Sequence, residues 1–342
     1  MKAASWPRDD PASGRLLVVD AAAPAMRDAE LPDLPAQLEP GDLLVVNDAA
    51  TLPASLAGKT ASGQPVELRL ARALGGGAFQ AVAFGAGDWR MPTEHRAAPP
   101  ALHEGDHIRF DAALHASVTE IDDDEPRLVT LRFDERCDAL WQALYAVGRP
   151  VQYAYLRAPL SLWHAQSRFA SRPWSFEAPS AGLPLSWQLL LAVRRRGVAL
   201  AAITHAAGLS STGSASLDAR LPLPERYEVP GTTAAAVRRT REAGGRVVAV
   251  GTTVVRALES QARRSGSVFD AGRGEATLLL GPGCRRRVVD ALLTGLHEPG
   301  TSHFPLLEAF APRTVLERSL EHAALDGYLL HEFGDSMLLF AS

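Results

Sequence analysis

From about residue 175 to the C-terminus the hydrophobic pattern switches repeatedly between a helical and an extended period. That alternation commits the chain to a sheet with helices packed against it. Residues 186–196 read as a helix with Gly197 at its C-terminal cap position, and 198–204 as a strand. Residues 233–243 read as a helix ending at Gly244-Gly245, 246–250 as a strand and 254–264 as a helix. Residues 277–280 and the run from Val288 continue the series. The expectation is an α/β unit with a largely parallel sheet.

The N-terminal part supplies a piece of the same kind. Residues 34–38 suit a short helix, Pro40-Gly41-Asp42 a turn, and 43–46 a continuous apolar run typical of a strand buried on both faces. Between about 60 and 150 the texture changes. Val66-Glu67-Leu68-Arg69-Leu70 alternates with period two, and Gly75-Gly76-Gly77 turns the chain into 79–84. Short strands follow at 107–110, 114–121 and 128–133, with the acidic turn 122–126 before the last and no long helical pattern between them. This predicts a small antiparallel barrel or sandwich. At 342 residues the chain has room for two cores.

Composition excludes several classes. The apolar runs, such as 189–193, fall far short of the roughly 20 residues a membrane helix needs. Trp6, Arg8, Asp9 and Asp10 have no apolar stretch behind them, so no signal peptide is expected. Cys137 and Cys284 form neither a zinc motif nor a disulfide framework, which suits a reducing cytoplasm. The net charge of −4 provides no global basic field for nucleic acid, although Arg194–Arg196 and Arg285–Arg287 are local basic clusters. No P-loop, dinucleotide fingerprint, nucleophile elbow or zincin motif occurs, and the histidines lack metal-ligand spacing, so no metal is expected.

Three segments carry chemistry. In residues 247–260 a buried strand ends in Gly251-Thr252-Thr253 and enters a helix, whose free N–H groups and two hydroxyls suit an anion or carboxylate. Arg256, placed in the first turn, would then face an anionic partner. The plainer reading is that a threonine caps the helix and Arg256 pairs with Glu259 at i+3. Pro179, Ser180, Ala181 and Gly182 form a small-residue loop before a helix, which lets backbone approach a ligand closely. Asp290, Thr294 and His297 lie along and just beyond an apolar run, and His205 follows the strand at 198–204. Two histidines at element ends of an α/β sheet sit where ligands usually bind.

The ordered set of segments resembles the S-adenosylmethionine:tRNA ribosyltransferase-isomerases of queuosine biosynthesis from about residue 15 onward. The set comprises Asn47-Asp48, residues 178–183, residues 225–230 with Glu225 and Tyr227, Val250-Gly251-Thr252-Thr253 with Arg256, Pro282-Gly283, residues 288–294, His297 with Pro299, Ala309-Phe310 and residues 333–338 with Asp335.

The resemblance implies a larger α/β domain built from both chain ends, 1–59 plus 151–342, with an inserted β-barrel domain at 60–150. It also implies a reaction. The ribosyl unit of S-adenosylmethionine moves onto the aminomethyl-deazaguanine of a tRNA anticodon and isomerises, and adenine and methionine leave. The sulfonium acidifies the neighbouring C–H, so a general base and rigid positioning are required. His205 is the expected base ahead of His297, because it follows a strand directly and histidine titrates near neutrality. Asp290 and Asp335 are the carboxylates expected to orient one of them or to act in its place. Gly251, Thr252, Thr253, Arg256 and Thr294, with the loop 179–182, are expected to hold S-adenosylmethionine; Asn47, Asp48, Glu225 and Tyr227 are expected to meet the acceptor.

The chain also departs from the family. Ala49-Ala50 and Pro53-Ala54-Ser55 stand where the family has Thr-Arg and Pro-Ala-Arg, and Pro184 and Leu223 stand in place of histidines. Residues 206–211 replace a glycine-rich loop, and Gly295-Leu296 replaces Asn-Phe. Two other readings therefore accompany the first: the same fold acting on S-adenosylmethionine with another acceptor or none, and a catalytically inactive paralogue that binds a nucleoside or RNA.

Overall fold

The computed structural model describes residues 1–23, 25–111 and 114–341. Leu43–Asn47 is buried at every position, as its apolar run demands, because a strand flanks it on each side. Ala199–His205 and Val247–Val250 both pair with it in parallel, and Ala291–Gly295 continues the parallel run beyond Val247–Val250. These strands are the centre of a nine-stranded sheet. Antiparallel Glu225–Val229 and Gly272–Ala276 extend one edge. Ser336–Phe340, Arg15–Asp20 and Ala25–Glu30 extend the other, so both chain ends build one sheet.

Successive side chains of a strand point to opposite faces, and the two faces have separate cores. Leu43, Val45, Val247 and Ala249 pack with Val254, Val255 and Leu258 of the helix Thr252–Arg264 and Val237 of the helix Gly231–Glu242. Leu44, Val46, Val248 and Val250 pack with Leu189, Leu190 and Val193 of the helix Trp187–Arg195. That last helix ends as its sequence foretells. Gly197 follows Arg196 at φ +88°, the left-handed conformation that closes a helix C-terminus.

The strands Ser55–Thr60, Pro65–Gly75, Ala78–Phe84, His107–Asp111, Leu114–Ile121 and Leu128–Phe133 close into an antiparallel barrel. The barrel encloses its own core of Leu56, Leu68, Phe79, Phe84 and Phe133. The fold class is therefore the expected one, a small closed barrel inserted into a larger α/β sheet domain. A helix, Cys137–Val147, does occur after the last barrel strand, and its Leu140 and Leu144 join the barrel core. Phe176, Ala206 and Leu209 of the α/β part belong to that same core and seat the barrel on the sheet. Residues 277–280 form no strand; the edge strand lies just before them at Gly272–Ala276. Among the described residues no helix is long and apolar enough to cross a membrane.

Candidate active site

Parallel strands bring their carboxyl ends to one side of a sheet, and four of this chain's motifs follow such ends. Asn47 closes Leu43–Asn47, His205 closes Ala199–His205, Gly251 follows Val247–Val250, and Thr294 lies near the end of Ala291–Gly295. Asn47 ties three of them together. Its Nδ2 donates to the His205 carbonyl at 2.9 Å and to Thr253 Oγ1 at 3.3 Å, and its Oδ1 accepts from the His205 N–H at 2.9 Å.

Gly251 makes the turn into the helix Thr252–Arg264. Its φ is +88°, and a Cβ there would meet the Ala181 Cβ at 3.3 Å. The small-residue loop and the helix entrance thus face each other across a narrow gap. The first N–H groups of the helix have no partner within it. Together these elements line a pocket of about 200 Å³, with Pro179, Ser180 and Ala181 on one wall and Gly251, Thr252, Thr253, Arg256, Thr294 and His297 on the other. Gly182 lies behind that loop, against Phe169.

Arg256 is not free to grip an anion. It sits one turn deeper than the first helical turn and is 4% exposed, with its guanidinium paired to the Glu225 carboxylate and donating to the Ala276 carbonyl at 2.6 Å. The expected i+3 partner, Glu259, is taken elsewhere. Its carboxylate accepts from the backbone N–H groups of Arg287, Val288 and Val289 and from Arg263. The helix cap is Gly251 rather than a threonine side chain.

His205 is at its strand end as expected but does not line the pocket. It is fully buried, and among the described residues neither ring nitrogen finds a hydrogen-bond partner; Nε2 lies 3.4 Å from Glu225 Oε2. Burial, with the Arg256 charge adding to it, holds its pKa well below the usual histidine value. Tyr227 is likewise in the core, donating to Gln261 Oε1 at 3.0 Å, and Asp48 accepts from the hydroxyls of Thr204 at 2.5 Å and Ser171 at 2.9 Å.

Both candidate carboxylates turn away from the histidines. Asp290 precedes Ala291–Gly295, so it stands at the opposite end of the strand from the pocket, about 13 Å from it at ordinary strand rise. There it accepts from the Val247 N–H at 2.8 Å. Asp335 is at the pocket end of the sheet, since Ser336 pairs with Gly295, but its oxygens accept from Arg8 at 2.6 Å and from the N–H groups of Arg15 and Leu329 at 2.8 Å. Asp335→Ala is therefore expected to cost about 2–3 kcal/mol of stability by orphaning those buried donors. Urea unfolding checks this, and an unchanged midpoint with reduced ligand affinity would put Asp335 back in the site.

The structure adds residues that the sequence did not single out. His303 lines the pocket, with Nδ1 3.5 Å from Thr252 Oγ1 and its ring centroid 4.9 Å from that of His297, whose Nε2 lies 2.9 Å from Thr294 Oγ1. Burial depresses both histidines, His303 to about 4, so both are neutral at pH 7. Glu177 stands just before the small-residue loop and lines the pocket. Its carboxylate accepts from the Tyr153 hydroxyl, and burial raises its pKa to about 7. The adjacency of Glu177 to Ala178-Pro179 was the available signal; nothing local marks His303.

The pocket adjoins a larger cleft of about 740 Å³. Glu177, Ser180, Ser210, His297 and His303 line both. The cleft continues past Tyr153 and Tyr155 to His331, which stacks on Tyr155 at 4.0 Å and 7°. Asp28, His322 and Asp326, the group among the described residues whose ligand atoms could meet on a metal, are outside both cavities.

A sequence model described as queuosine biosynthesis protein matches residues 2–339. An S-adenosylmethionine:tRNA ribosyltransferase-isomerase of Gloeobacter violaceus is 39% identical over 340 residues, covering 97% of this chain and 90% of that protein. A protein of the same name from Anaeromyxobacter dehalogenans is 37% identical, covering 97% and 93%. Among solved structures, the S-adenosylmethionine tRNA ribosyltransferase of Thermotoga maritima superposes with a TM-score of 0.54 at 25% identity, covering 98% of this chain and 95% of that one.

Proposed function

This chain belongs to the queuosine biosynthesis protein family, and we propose that it is an S-adenosylmethionine:tRNA ribosyltransferase-isomerase. On this reading it transfers the ribosyl moiety of S-adenosylmethionine to the aminomethyl-deazaguanine of tRNA and isomerises it, giving epoxyqueuosine and releasing adenine and methionine. The observation that carries the reading is the pairing of two cavities: a narrow pocket at the helix entrance opens into a wider cleft at the carboxyl ends of the parallel strands. A group transfer needs a donor and an acceptor held edge to edge, and their junction fixes where the reacting carbon must lie. The donor takes the narrow pocket, where Thr252 and Thr253 offer hydroxyls and unpaired N–H groups to its carboxylate or hydroxyl oxygens. Among the described residues no cation other than the neutralised Arg256 lines that pocket, so the positive sulfonium meets no unpaired like charge from them.

The test is adenine release from S-adenosylmethionine in the presence of tRNA bearing the aminomethyl base, against unmodified tRNA. Release that depends on the modified tRNA is the expected result; no release with it overturns the assignment. One observation favours a second reading, the same donor chemistry on an acceptor other than tRNA. Glu177, Asp218, Glu298 and Glu332 line the cleft, and among the described residues neither Arg nor Lys does, so these offer no side-chain cation to a phosphate. Adenine released equally well without tRNA would select that reading.

A further inference from the structure

With His205 outside the pocket and Asp290 and Asp335 turned away, the expected base is missing from where the chemistry must happen. The ribosyl carbon passes from the narrow pocket to the cleft, so the base must line both. Among the described residues the titratable side chains that do so are Glu177, His297 and His303. The two histidines are neutral but are held by burial in a form that resists a proton.

Glu177 is built differently. Its carboxylate accepts from the Tyr153 hydroxyl, and the Ser210 hydroxyl lies 3.1 Å from that same phenol oxygen. No salt bridge ties up Glu177 among the described residues. Behind Tyr153 stands Arg69 of the barrel strand Pro65–Gly75, 1% exposed, with its guanidinium 5.6 Å from the Tyr153 ring centroid and its Nε donating to Glu67 at 2.8 Å. The barrel thus reaches the site through Arg69 and Tyr153 and fixes the direction in which the carboxylate points.

We propose that the Glu177 carboxylate is the general base that takes the proton from the carbon beside the sulfonium sulfur, with Tyr153 as its positioning residue. The inference rests on the reading of S-adenosylmethionine as donor. In the step one C–H bond breaks, one O–H bond forms on Glu177, and the electron pair stays on the carbon next to the positive sulfur. No redox partner is consumed. A base that works near neutrality needs a proton affinity matched to it, and burial raises that of Glu177 to about 7.

The groups that face Glu177 set its titration. Tyr153 lowers it by hydrogen bonding, and so does Ser210; Glu332 raises it by like charge. Arg69 faces it from the barrel and Tyr155 from the cleft wall. His297 and His303 are neutral above pH 6.5, and Glu225 and Arg256 compensate each other across the pocket.

The experiment is single-turnover adenine release from pH 5.5 to 9 for the parent, Glu177→Gln and Tyr153→Phe, with S-adenosylmethionine affinity measured by calorimetry. Glu177→Gln keeps the shape and is expected to lose about 10²–10⁴-fold in rate with affinity changed little. The parent rate is expected to rise with pH through a limb near 7. Tyr153→Phe removes a bond that stabilises the carboxylate, so it should retain activity with that limb moved to higher pH, a shift that a merely structural tyrosine would not produce. A Glu177→Gln rate within tenfold of the parent overturns the proposal and leaves the function standing. So does an unmoved limb in Tyr153→Phe. A parent that releases no adenine at any pH overturns the function, and the base assignment with it.

Discussion

Glu225→Ala is expected to cost about 3–5 kcal/mol of folding stability, the range for removing one partner of a buried ion pair. Glu225 and Arg256 have side chains 8% and 5% exposed, so neither charge is repaid by water when the other is removed. The loss would leave Arg256 with the carbonyls of Ala276 and Leu223 as hydrogen-bond acceptors and with Nε still unpartnered. It would also strip the Gly208 N–H of its acceptor at 2.6 Å. An uncompensated guanidinium beside His205 makes the position worse, because the neutral imidazole brings no negative charge to offset it. Glu225→Gln, which keeps the Gly208 contact, should cost less than Glu225→Ala. Pairing Glu225→Gln with Arg256→Met should recover part of the loss, since no bare charge then remains. Urea unfolding of the three variants checks the order. A cost below about 1 kcal/mol for Glu225→Ala would mean that the pair is hydrated in solution and that Arg256 is available to a ligand after all.

The sheet was legible because its strands obey simple rules. Residues 43–46 and 247–250 are apolar without interruption, and the structure buries both faces of each. The barrel was legible from period-two runs between turns. The site was only partly legible, and the reason is parity and end. His205 does end a strand, but it shares the face of Ile203, which packs in the core beneath the helix Thr252–Arg264, whereas Thr204 points the other way to Asp48. Sequence gives the strand end but not which face a neighbouring helix will cover. Asp290 failed by end: it precedes its strand, so it belongs to the side of the sheet away from the pocket. Arg256 failed by depth, since four residues into a helix is a full turn below the rim. Glu177, Tyr153 and His303 lie on irregular segments brought together by the packing of loops, and no periodicity encodes that meeting.

Between pH 6.5 and 5 the protein is expected to lose stability steeply, and the site supplies much of the effect. His205, His297 and His303 have folded pKa values held below the usual 6.5 by burial. The unfolded chain therefore binds protons that the folded chain refuses, and the stability these groups allow is present above about pH 6.5 and lost as the pH falls. Glu177 works in the opposite sense. Its folded pKa is raised from 4.5 to about 7, so the stability linked to its proton is present below 4.5 and lost as the pH rises through 7. Between 4.5 and 6.5 three groups act against one, a net of two, and at about 1.4 kcal/mol per group and pH unit the slope approaches about 2.7 kcal/mol per unit at most. Thermal unfolding across this range checks the sign; a midpoint that is flat, or that rises as the pH falls, contradicts it. Glu177→Gln separates the two contributions. It removes the opposing group, so the acid slope should steepen. Above pH 7 the variant should exceed the parent by about 2 kcal/mol, because it no longer holds a buried carboxylate charged. A variant that is more stable and yet slower is what a base kept at the expense of the fold would produce, whereas a glutamate that only supports the structure would lose stability on the same change.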